Sequence, residues 1–143
     1  MVAYLVGVGL ALAVGVFATL LGFDRDRAFY PTVTIVIASL YILFAVMGGS
    51  GTALGVESAV ALLFAVASVL GFKRNLWVVA AALFGHGVLD AFHGHLIANP
   101  GVPSWWPGFC LAYDVTAAGY LALRLSRAGV GDAILSRHPD RGR

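Results

Sequence analysis

No charged residue occurs between Met1 and Phe23, and as a helix that run is about 30 Å long, the thickness of a bilayer's hydrocarbon core. Comparable apolar runs recur at about 30–47, 54–72, 76–97 and 109–125, each with at most two charged residues. In hydrocarbon, where water cannot satisfy the backbone, such runs are helices. The chain of 143 residues is 60% hydrophobic and 11% charged, about half the charge content of a soluble domain. The predicted fold is therefore all-α: a polytopic integral membrane protein, a compact bundle of five transmembrane helices over residues 2–22, 30–47, 54–72, 76–97 and 109–125. Residues 1–126 form one domain, and 127–143 a basic polar tail.

The punctuation between the runs agrees with this division. Asp24-Arg25-Asp26-Arg27 separates the first two, Gly48-Gly49-Ser50-Gly51-Thr52 makes an uncharged tight turn, and Lys73-Arg74-Asn75 ends the third. Residues 99–108 hold three of the five prolines and two of the three tryptophans. This reads as a stiff loop with interfacial anchors, Trp77 serving the other boundary. A cleaved signal peptide is disfavoured, because the charges follow the first run instead of preceding it. The one cysteine, Cys110, excludes an intramolecular disulfide.

All nine Lys and Arg residues fall after the first run, after the third, or at or after the end of the fifth. By the positive-inside rule those places are cytoplasmic, so the expected protein lies in the plasma (cytoplasmic) membrane with its N-terminus outside and its C-terminus in the cytoplasm. The same clustering explains the net charge of +2 without a nucleic-acid partner, since the basic residues flank apolar spans. Gly7, Ala11 and Gly15 recur every four residues in the first span, a stripe that admits a close helix neighbour and is a candidate contact with a second copy.

Against this apolar background, His86, Asp90 and His93 are conspicuous. At about 100° per residue they share one narrow arc, while His95 points away. An ionised Asp at mid-bilayer costs at least about 2.5 kcal/mol unless partnered, so each such residue is a site candidate. Asp114 lies about 8 Å inside the fifth span, too deep for a short side chain to reach water. Glu57 lies about 5 Å from the end of the third and admits both a solvated and a site reading. The predicted orientation puts Glu57, Asp90, His93 and Asp114 in the outer half of the bilayer, with His86 near its middle.

Imidazoles and carboxylates are ligands for zinc or non-haem iron. His86 and His93 are more than 10 Å apart along one helix, so the expected ligands are Asp90, His93, Asp114 and Glu57. His86 and Asp114 are the candidate catalytic groups, with His93 as the partner of Asp114. Such a metal activates water, which points to an intramembrane hydrolase, or with iron an oxidoreductase, acting on a lipid-like substrate. Without metal the same groups suit proton-coupled transport of an ion or small solute. A structural or accessory subunit is the third class open to these residues. Cys110 has no cationic neighbour in the sequence and reads as packing.

Overall fold

The structure, a computed structural model, describes residues 1–137; of the basic tail, 138–143 lie outside the described residues. Five helices follow in order: α1 Val2–Leu21, α2 Phe29–Met47, α3 Gly51–Lys73, α4 Leu76–Leu96 and α5 Trp106–Arg137. The first four are long and apolar enough to cross a membrane.

Local chemistry sets the helix ends. α1 stops at Gly22, whose left-handed φ of 79° lets its N–H reach back to the carbonyls of Ala18 and Thr19. Ser50 caps α3 through a hydrogen bond from the Ala53 N–H to its Oγ at 3.2 Å, and Asn75 caps α4 by accepting from the Trp77 N–H at 3.0 Å. Ser50→Ala is expected to cost about 1 kcal/mol of stability, measured by SDS unfolding of the purified protein; an unchanged midpoint would show that the cap contributes nothing. Thr32, Thr34 and Ser39 donate to carbonyls of the preceding turn of α2, the self-satisfied state of a hydroxyl in a span.

α5 departs from expectation at both ends. It opens at Trp106, three residues early, because Pro107 falls in the first turn, where its missing N–H leaves no bond unmade. It also continues past 125 to Arg137, so the first part of the basic tail is helical. The two loop tryptophans divide: Trp105 is exposed, whereas Trp106 packs edge-on against Phe44 with ring centroids 4.9 Å apart.

α4 is the hub, packing against α5, α3 and α2, while α1 joins the bundle along α5. The small-residue face of α1, Gly7, Ala11, Gly15 and Ala18, is buried. A side chain at Gly7 would collide with the Phe109 carbonyl of α5, and one at Gly15 with the Tyr120 ring. The stripe that could have received a second copy is thus occupied by α5 of the same chain. α5 accompanies α1 along its length: Gly108 lies against Tyr4, Tyr120 Oη is 3.0 Å from Thr19 Oγ1, and Arg124 pairs with Asp24 at 3.3 Å.

The loops sort to two ends. Arg27 donates to the Gly71 carbonyl at 3.3 Å, which gathers the α1–α2 loop, the end of α3 and Arg124 at a basic end. Asn99 donates to the Tyr41 carbonyl at 3.1 Å, which closes the opposite, uncharged end. Between them the usual distribution is inverted. Leu5, Leu20, Leu62, Leu63 and Phe92 are exposed, while Thr34, Glu57, Ser68, His86, Asp90, His93 and Asp114 are buried. That exterior is stable in hydrocarbon and not in water.

Candidate metal centre

The three stripe residues of α4 are buried, with His86 and Asp90 at 2% exposure and His93 at 3%, while His95 faces out. α5 meets this stripe at Gly87. A Cβ there would lie 3.1 Å from Val115 Cγ2, 3.2 Å from the Leu111 carbonyl and 3.3 Å from Asp114 Cβ. The bare backbone therefore lets α5 close in, and Asp114 arrives level with His86.

A compact cluster results. His86 Nδ1 lies 2.7 Å from Asp114 Oδ2 and 3.4 Å from Asp90 Oδ2, and Tyr41 Oη donates to Asp90 Oδ1 at 2.6 Å. One ligand atom each from His86, Asp90 and Asp114 lies within 4.8 Å of the others. Ligand atoms held tetrahedrally at about 2.0–2.2 Å sit about 3.3 Å apart, so an ion fits among these three with small side-chain movements. Asp90 Oδ2 and Asp114 Oδ1 are buried without a hydrogen-bond donor among the described residues. A buried carboxylate oxygen without a donor is costly, and a cation between the two would satisfy both.

His93 and Glu57 lie elsewhere. His93 Nε2 is 2.9 Å from Glu57 Oε1, and Asn99 Nδ2 donates to the same oxygen at 2.9 Å. Of the expected ligand set Asp90, His93, Asp114 and Glu57, the structure brings Asp90 and Asp114 together with His86, while His93 pairs with Glu57. Helical rise is the reason. Seven residues separate His86 from His93 by about 10 Å along α4, and the α5 contact at Gly87 lies next to the former.

Tyr41 joins the two groups. Its ring stacks on His93, with centroids 4.3 Å apart and planes at 28°, while its hydroxyl holds Asp90. Neither Tyr41 nor Asn99 is conspicuous in the sequence. The available signal for Tyr41 was a polar-tipped aromatic in mid-span on the arc of Thr34, Ala38 and Ala45, all buried in α2. Asn99 carries a side-chain amide three residues after α4 ends. Cys110 is a buried free thiol outside the ligand cluster.

At the uncharged end, a cleft of about 660 Å³ reaches His93 and Asn99, with Ser50, Pro103, Ser104 and Pro107 among its walls. The polar groups thus run inward from the cleft through His93 and Tyr41 to Asp90, His86 and Asp114. No protein family, curated protein or solved structure matches this chain.

Proposed function

We propose that this protein spans the plasma membrane five times, N-terminus outside and C-terminus in the cytoplasm, and holds zinc or iron(II) on His86, Asp90 and Asp114 as an intramembrane hydrolase of a lipid-like substrate. The observation that carries the reading is the cluster itself: three buried ligand side chains, two of them with a carboxylate oxygen lacking a donor. Five spans are supported by the course of α5, since a bilayer that contains α1 also contains the residues 108–124 lying beside it. The orientation rests on the basic residues at alternate loops.

His86, Asp90 and Asp114 would hold the divalent metal, which when bound would supply Lewis-acid activation of water. The chain's own groups divide the remaining work. Tyr41 holds Asp90 Oδ1 and so turns Oδ2 toward His86. Glu57, fixed by Asn99, orients His93 at the cleft, where its imidazole is placed to take up and return a proton.

Protein purified without chelator is expected to carry about one zinc or iron per chain by elemental analysis, and His86→Ala to carry less than about a tenth of that. Equal content in the two would remove the site. A second reading, proton-coupled transport, is favoured by the unbroken run of titratable groups from the cleft to Asp114. Metal-free wild-type protein that drives pH-dependent ion flux in liposomes would establish it in place of the first.

A further inference from the structure

At the opposite, basic end, a cavity of about 230 Å³ is lined by Asp24, Arg25, Arg27, Tyr30 and Arg124 over an apolar floor that includes Leu76 and Leu121. Three guanidinium groups and one carboxylate give this lining a formal charge of +2 (three minus one). The carboxylate is already engaged: Asp24 Oδ2 accepts from Thr19 Oγ1 at 2.7 Å and pairs with Arg124 at 3.3 Å. Arg25 folds back over Gly22, its Nε about a contact distance from where a Cβ would stand. Arg27 adopts a left-handed φ of 66° while bonding the end of α3.

Tyr30 is 5% exposed, and its hydroxyl is buried without a hydrogen-bond partner among the described residues. A buried O–H on the wall of a cationic cavity is a donor awaiting an acceptor. Asp24 Oδ1, of a residue lining the same cavity, is likewise buried and without a partner among the described residues. The complementary ligand offers several anionic oxygens to the arginines and Tyr30, and one donor to Asp24.

We propose that this cavity binds a phosphate group carrying an adjacent hydroxyl or protonated oxygen, either as a phospholipid headgroup or as free phosphate. Arginine forks match phosphate oxygens in pairs, and the cavity is several times the roughly 30 Å³ of a water molecule. The site stands apart from the metal cluster and does not depend on it.

Full-length protein in uncharged detergent is titrated by calorimetry with inorganic phosphate and, separately, with short-chain phosphatidylglycerol. Binding of both assigns free phosphate as a sufficient ligand, and binding of the lipid alone assigns the headgroup. Tyr30→Phe, which removes only the hydroxyl, and Arg25→Gln are each expected to weaken binding about tenfold, with helicity and metal content unchanged. Failure of both probes to bind, or wild-type affinity in both variants, overturns the proposal.

Discussion

Asp114→Asn is expected to empty the metal site while leaving the bundle folded, whereas Cys110→Ser and His93→Ala keep their metal. Asn is close in size to Asp, so the fully buried position between α4 and α5 stays filled. Asp90 Oδ2 remains 3.4 Å from His86 Nδ1 when Asp114 is neutralised, so His86 is not left as the unpaired buried charge that makes breaking a buried pair costly. Metal affinity is another matter. Replacing groups that merely support a ligand costs about 10–100-fold, so loss of a ligand carboxylate should cost on the order of 100-fold or more. Elemental analysis together with SDS unfolding separates the two effects. Retention of metal by Asp114→Asn with loss in Cys110→Ser would show that the wrong group of α5 has been assigned.

Gly87→Leu should produce a comparable loss with all three ligands still present. The added side chain would push against Val115, Leu111 and Asp114, and overpacking of this kind costs about 1–3 kcal/mol. The larger consequence is geometric: α5 must retreat, and a metal site has to be held to within about 0.5 Å. The 2.7 Å approach of Asp114 to His86 does not survive that displacement. Gly85→Leu is the control, because nothing lies within 4 Å of a Cβ placed there. Full metal occupancy in Gly87→Leu, or equal loss in both, would separate the site from the helix contact.

These expectations depend on features that sequence displayed unequally. Charge-free runs of bilayer length announce helices, and α1, α2 and α4 end at Leu21, Met47 and Leu96, within a residue of where the punctuation places them. The shared arc of His86, Asp90 and His93 was equally legible, since periodicity along one helix needs no knowledge of its neighbours. What α5 would bring to that arc was hidden. Which imidazole meets Asp114 depends on the relative height of two helices, and that height is set by a missing side chain at Gly87. Glycine appears 18 times in the chain, so one more in an apolar run carries little signal. Tyr41 and Asn99 were obscure for a related reason: an aromatic in a span reads as packing and an amide in a loop as solvated. The helical continuation of α5 to Arg137 was masked by its polar composition, which marks the limit of the apolar run and not the limit of the helix.

The pairing of α1 with α5 bears on how the protein is made. α1 leaves the ribosome before α2, α3 and α4, and α5 after them, so the Gly7, Ala11, Gly15 and Ala18 face must wait in the bilayer through the synthesis of three intervening helices. α2 and α3, joined by a turn of three residues, can pair as soon as they insert. During that interval the waiting face is open to any helix able to approach it closely, including α1 of another nascent copy. Arrival of α5 ends that competition and, in the same movement, carries Asp114 to His86. Completion of the bundle and completion of the cluster are thus one late event in biogenesis, and a chain interrupted before residue 106 would have neither.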